Sequence, residues 1–148
     1  MPQVEKVYAY IIQEERLLVF RHVDYPDAGV QVPGGTLEAG ETPEAAVLRE
    51  AGEETGLRGL VLEKCLGRDE YNDSSSNLTG TTGRYFFHLT CPHEVPETWQ
   101  HYEHHPSDGS PGPILFEFYW LPLAEAAEKM DNYFSVMLDR MADNMSRE

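Results

Sequence analysis

Apolar residues fall along the chain in short dense runs separated by polar turns. Val4 to Ile12 (VEKVYAYII) and Arg16 to His22 (RLLVFRH) are rich in β-branched and aromatic residues, with QEE between them. They predict two strands joined by a polar turn. Asp24 to Gly29 (DYPDAG) predicts a loop, and Val30 to Gly34 (VQVPG) a short extended piece. Gly34 and Gly35 then let the backbone turn sharply. Gly59 to Tyr71 (GLVLEKCLGRDEY) and Gly83 to Cys91 (GRYFFHLTC) predict strands on either side of the polar loop NDSSSNLTGTT. That loop carries a formal glycosylation sequon at Asn77, to which no meaning is assigned. Pro92 to Pro113 holds five prolines and four histidines and predicts a long loop. Ile114 to Leu121 (ILFEFYWL) predicts the last strand, which Pro122 ends. From Leu123 to Glu148 a helix is predicted, with Phe134, Leu138, Met141 and Met145 as its apolar stripe. That stripe reads as core packing, and an unfilled end of it would serve a dimer contact, so monomer and homodimer both stand.

Between these runs lies a stretch with a different pattern, Gly35 to Leu57 (GTLEAGETPEAAVLREAGEETGL). Thr42 is a good N-cap, Pro43 suits the first helical position, and Gly56 is a left-handed stop. The helix between them ends in a crowd of charge: Arg49, Glu50, Glu53 and Glu54. Residues three and four apart share a helix face, so the three glutamates project together. They also sit near the negative end of the helix dipole, where carboxylates cost about 0.3–1 kcal/mol. A helix built for stability alone would place lysines there. A divalent cation reverses the sign of these terms, and hard oxygen ligands that keep some bound water suit Mg²⁺ or Mn²⁺. The alternative is a solvated acidic face.

Composition narrows the partners. The 148 residues fit one domain, 1–148, with a single core. The net charge is −15 and Lys and Arg form no cluster, which argues against long nucleic acid. A small anionic substrate remains compatible, because metal ions screen a site locally. No apolar run is long enough for a membrane span, and the first residues lack a signal peptide's basic start and apolar run. Cys65 and Cys91 are too far apart for a disulfide scaffold or a zinc pair, and both are expected to be buried and reduced. A cytoplasmic location is expected.

The spacing within Gly35–Leu57 decides between metal site and solvated face. It runs Gly, five residues, Glu, seven residues, Arg-Glu, an apolar residue, any residue, Glu-Glu, any residue, Gly, an apolar residue. Gly35, Glu41, Arg49, Glu50, Ala51, Glu53, Glu54, Gly56 and Leu57 fill these slots. The stretch therefore resembles the Nudix box of the Nudix hydrolase family, with Ala51 smaller than the usual Leu, Ile or Val. Seven matches at roughly 7% usage each arise by chance on the order of once in 10⁸ placements.

The resemblance implies a Nudix fold of the α/β class, a mixed β-sheet sandwiched between helices. It implies a hydrolase that cleaves a diphosphate linkage in a nucleoside diphosphate derivative. Divalent metal would relieve the repulsion between phosphate charges and an attacking oxygen. Glu50, Glu53 and Glu54 are the expected ligands, and the family's main-chain carbonyl before the box falls on Gly34. Glu50 or Glu53 would alternatively work through a water or as the base. Arg49 is placed to hold Glu53 or Glu41 by a charge-assisted hydrogen bond. Glu41 is then an outer ligand or a support. Some family members draw a base from a later loop, for which Glu94, Glu97, Glu103 and Glu117 are candidates.

His101, His104 and His105 have metal-compatible spacing, but a zinc site needs a fourth ligand and a rigid frame. Stacking of Trp99, Tyr102 or His104 on a base is the other reading of that segment. The substrate marks of particular subfamilies are missing or weak. The array of the NADH-cleaving type and the signature of the coenzyme A type are absent. Asn72 stands where the ADP-ribose type has proline, and Tyr71 is early for the diadenosine-polyphosphate type. Nucleoside triphosphates, including oxidised ones, are expected first, with dinucleoside polyphosphates second. A non-catalytic module that binds nucleotides is the reading from another class.

Overall fold

The structure, a computed structural model, describes residues 4–72, 81–103 and 113–141. Asn77, His104, His105 and Met145 lie outside these residues. Seven strands form one mixed sheet: β1 (Val4–Gln13), β2 (Arg16–His22), β3 (Gly34–Thr36), β4 (Val61–Asn72), β5 (Thr81–Thr90), β6 (Thr98–Glu103) and β7 (Ile114–Pro122). The order is β4-β5-β1-β2-β7-β6, with β3 paired to β1 off this path. The pairing of β1 with β5 is parallel and the others are antiparallel.

β1 is central because its apolar run serves both faces of the sheet. Val7, Ala9 and Ile11 point one way, and Tyr8, Tyr10 and Ile12 the other, as the two-residue period of a strand requires. On the first face lies α1 (Pro43–Thr55), which buries Ala46, Val47 and Ala51 against Leu18, Phe87 and Phe118. On the second lie α2 (Leu123–Lys129), α3 (Asn132–Ser135) and the turn that follows, which bury Ala126, Met130, Leu138 and Met141. This is the helix–sheet–helix sandwich expected of a Nudix fold. The α1 ends are as the sequence predicts. Thr42 Oγ1 accepts from Ala45 N at 3.1 Å, Pro43 opens the helix, and Gly56 closes it at φ 79°.

Three expectations change. The predicted helix from Leu123 is broken: Met130 is extended, and Asp131 restarts the chain by accepting from Tyr133 N at 2.8 Å. Cys65 is exposed, because β4 is an edge strand with one face open, whereas Cys91 is buried as expected. The segment read as a long loop contains β6, which pairs with β7 along its whole length.

β1 and β2 pair only at their hairpin end, through Ile12↔Leu17 and Gln13↔Arg16. Further along they part, and β3 inserts beside β1, pairing Lys6, Val7 and Tyr8 with Thr36, Gly35 and Gly34. The parting leaves a hollow in the middle of the sheet, and Gly34 and Gly35 stand at its edge.

Candidate active site

α1 turns a mixed stripe toward the sheet. Val47 and Ala51 are apolar, but the next positions inward on the same face are Glu50 and Glu54, 8% and 7% exposed. Glu103, the last residue of β6, is buried beside them. Ligand oxygens of Glu50, Glu54 and Glu103 lie within 4.8 Å of one another. Two carboxylate charges at that separation repel by about 3 kcal/mol at an effective dielectric constant near 20.

The surroundings answer this in part. Gly34 N donates to Glu54 Oε1 at 3.2 Å. Arg49 Nη1 donates to Glu50 Oε1 at 2.8 Å, while the rest of the guanidinium grips Glu41 as a fork, Nε to Oε2 at 2.7 Å and Nη2 to Oε1 at 2.9 Å. That fork holds the Glu41 carboxyl down to about 2. Burial pushes Glu50 up despite Arg49, and pushes Glu54 well up, with the neighbouring Glu103 and Glu50 adding to the shift. Burial and neighbouring like charge both disfavour the ionised carboxylates here. Three hard oxygen donors from two rigid elements fit a divalent cation such as Mg²⁺ or Mn²⁺.

Two glycines make the arrangement possible. A β-carbon on Gly35 would overlap the Glu50 carboxyl, and one on Gly34 would overlap Tyr8 and the Val7 carbonyl. Gly34 and Gly35 therefore serve close packing of β3 between β1 and α1 as much as a turn.

Of the residues singled out in the sequence, Gly34, Glu41, Arg49, Glu50 and Glu54 come together here. Glu53 stands apart from the buried trio: its side chain is 57% exposed and its Oε2 lies 3.4 Å from Arg49 Nη1. Among the later acids only Glu103 joins the group. Glu97 pairs with Arg16 at 2.8 Å and Glu117 with Arg21 at 2.7 Å, both away from the box, and Glu94 is exposed. His101 and Trp99 are turned to α1 rather than to a metal or a base: Nε2 of His101 meets the Glu53 carbonyl at 3.0 Å, and Trp99 Nε1 donates to the Thr55 carbonyl at 2.9 Å. Tyr71 packs edge-on against Tyr133, with ring centroids 4.8 Å apart, so it belongs to the wall of the second core.

Glu54 and Glu103 open into the hollow between β1 and β2, a cavity of about 170 Å³. Its other walls include Lys6, Tyr8, Phe20, His22, Phe116 and Phe134. Apart from Phe134, which stood in the apolar stripe of the predicted last helix, none of these was singled out in the sequence, since each reads as an ordinary strand residue. Only the splaying of β1 from β2 turns them toward one space.

The class is defined by this fold together with an aromatic-lined hollow that holds Glu54 of α1 and Glu103 of β6, with Glu50 beside them. The family model described as the NUDIX domain matches residues 2–140, and the chain belongs to that family. A mouse protein, diphosphoinositol polyphosphate phosphohydrolase 3-alpha, is 36% identical over 88 residues, covering 60% of this chain and 49% of that protein. The chain thus spans about half the length of the curated relatives it matches first. Among solved structures, the E. coli dihydroneopterin triphosphate pyrophosphohydrolase superposes with a TM-score of 0.69 at 22% identity, covering 95% of both chains. The C. elegans Ap4A hydrolase gives 0.66 at 16% identity, covering 98% of this chain and 99% of that one. At these identities the two structures show a shared fold. No helix among the described residues is long and apolar enough to cross a membrane.

Proposed function

We propose that this chain is a Mg²⁺-dependent pyrophosphohydrolase (Mn²⁺ serving as well) that cleaves a diphosphate linkage in a nucleoside diphosphate derivative. A nucleoside triphosphate or an oxidised nucleotide is the first choice of substrate. The observation that carries this reading is the buried trio Glu50, Glu54 and Glu103, of which Glu54 and Glu103 line an aromatic-walled cavity.

In this reading Glu50, Glu54 and Glu103 would hold the metal, together with the main-chain carbonyl of Gly34. A bound divalent ion would supply charge neutralisation of the diphosphate and lower the pKa of a water. Glu53, exposed on the same helix, would act from the solvent side. Arg49 and Glu41 fix the aim of Glu50, as supporting partners of ligands do elsewhere. Lys6 on the cavity wall takes part of the phosphate charge. Phe20, Phe116 and His22 provide flat surfaces for a heteroaromatic ring.

The same lining argues against the highly phosphorylated substrate class that the mouse relative's name carries. Lys6 is the sole Lys or Arg among the described residues lining the cavity, and the chain as a whole carries −15. An inositol bearing many phosphates needs a basic cradle; one ring and a short phosphate chain do not. The partner is then a small nucleotide, and a reducing compartment such as the cytoplasm suits the two free thiols.

The test is a panel of nucleoside triphosphates, oxidised nucleotides, dinucleoside polyphosphates and a diphosphoinositol polyphosphate. Each is incubated with Mg²⁺ or with chelator, and products are identified by phosphorus NMR. Release of nucleoside monophosphate and pyrophosphate, abolished by chelator, is expected. Nucleotide binding without turnover on any substrate would move the protein to the non-catalytic class.

A further inference from the structure

β6 has a second task besides closing the sheet. It is an edge strand that among the described residues pairs with β7, and its ladder includes the pair Glu103↔Ile114. Glu103 is buried beside the carboxylates of α1, which requires β6 to be held in register against that helix.

The strand's alternation supplies the answer. Trp99, His101 and Glu103 face α1, while Gln100 and Tyr102 are exposed on the other side. The last carbonyls of a helix have no partner within it. Here two of them are taken by side chains of β6. Trp99 Nε1 donates to the Thr55 carbonyl at 2.9 Å, and His101 Nε2 donates to the Glu53 carbonyl at 3.0 Å. A carbonyl only accepts, so Nε2 of His101 carries the proton. The His101 ring also lies on the left-handed Gly56, where a β-carbon would stand 3.1 Å from it. Trp99 is itself braced by stacking on Phe118, with centroids 5.2 Å apart and planes 15° from parallel. Stepping two residues at a time along β6, the chain meets Thr55, then Glu53, then the carboxylates of Glu50 and Glu54.

We infer that Trp99 and His101 are positioning residues that set the register of β6 against the end of α1 and so hold Glu103 within ligand distance of Glu50 and Glu54. This rests on the reading of those three carboxylates as a metal site. The arrangement joins the box helix to a ligand about fifty residues later in the chain through two hydrogen bonds to backbone, independent of the metal itself.

The experiment is direct Mn²⁺ binding to the full chain, read from the paramagnetic resonance of free Mn²⁺, for a double-mutant cycle of His101→Ala and Glu103→Gln. His101→Ala is expected to weaken Mn²⁺ binding about tenfold, the scale of a lost supporting partner. His101→Gln, which keeps an N–H at similar reach, restores most of the affinity. In the Glu103→Gln background, His101→Ala has no further effect. Trp99→Phe, which keeps the stacking and loses the donor, behaves like a milder His101→Ala and carries the test if His101→Ala fails to fold. An equal loss from His101→Ala with and without Glu103 would overturn the inference, as would unchanged binding in both donor variants. If Glu103→Gln alone leaves Mn²⁺ affinity unchanged, the reading of Glu103 as a ligand falls, and the inference with it.

Discussion

Gly35 on β3 lies so close against the Glu50 carboxylate of α1 that no side chain fits between them. The obstacle to a methyl group at residue 35 is the end of a flexible side chain rather than backbone. Gly35→Ala is therefore expected to keep the fold and swing the Glu50 carboxylate aside. Displacement of a ligand by about 1 Å costs roughly 100-fold in rate. The check is kcat/KM on the best nucleotide of the panel, with thermal unfolding alongside. A loss of activity with an unchanged melting temperature is the expected pair of results.

Arg49 holds Glu41 through two parallel hydrogen bonds and Glu50 through a third. A lysine ammonium carries the charge but cannot reproduce the fork. Arg49→Lys is expected to lower kcat by about 10–100-fold and to raise the Mg²⁺ concentration needed for half-maximal rate. A Mg²⁺ titration of turnover reads both.

Arg84 anchors the far wall of the cavity. It is 2% exposed, holds Asp69 bidentately at 2.8 and 2.7 Å, and donates to the Tyr133 carbonyl. The Tyr133 ring sits 4.3 Å from the guanidinium carbon, and the Tyr133 hydroxyl meets that of Tyr8 at 2.9 Å. Tyr8 and Phe134 both face the cavity. Arg84→Met leaves Asp69 without its partner and is expected to cost about 3 kcal/mol, the lower end for a broken buried pair because Asp69 is partly solvated. Urea unfolding measures it.

His93 offers a pH-dependent term away from the site. Its Nε2 lies 2.6 Å from the Arg58 carbonyl and its Nδ1 3.0 Å from the Glu94 carbonyl. Both partners only accept, so the ring is held with two N–H groups, and those bonds raise its pKa above the ordinary value. A raised folded-state pKa adds stability that is complete below the unfolded value, near 6.5, and fades as pH rises through the folded one. Thermal unfolding of the protein and of His93→Ala should differ more at pH 5.5 than at pH 9.

Much of this was legible in the sequence, and what was not has physical causes. The helix Pro43–Thr55 was readable because Thr42, Pro43 and Gly56 act locally. Glu50 and Glu54 were readable because helix periodicity alone puts them on one face. Glu53 shares that helix yet points to solvent, because the sheet lies beneath the Val47–Ala51–Glu54 side. β6 escaped notice because its six residues, TWQHYE, show no apolar alternation and lie between proline-rich flanks, and an edge strand needs only one buried face. Glu103 consequently stood as one of four equivalent acids until the sheet order brought it to α1. The cavity was illegible for a similar reason: Lys6, Phe20 and Phe116 belong to three strands, and nothing local says that β1 and β2 part.

Glu50, Glu54 and Glu103 are proposed to share a divalent cation. Crystals grown with Mn²⁺ test it through the metal's anomalous scattering. An ion peak bridging these three carboxylates, lost in Glu54→Gln together with turnover, is the expected result. Absence of any peak there, with nucleotide turnover intact in Glu54→Gln, would contradict it.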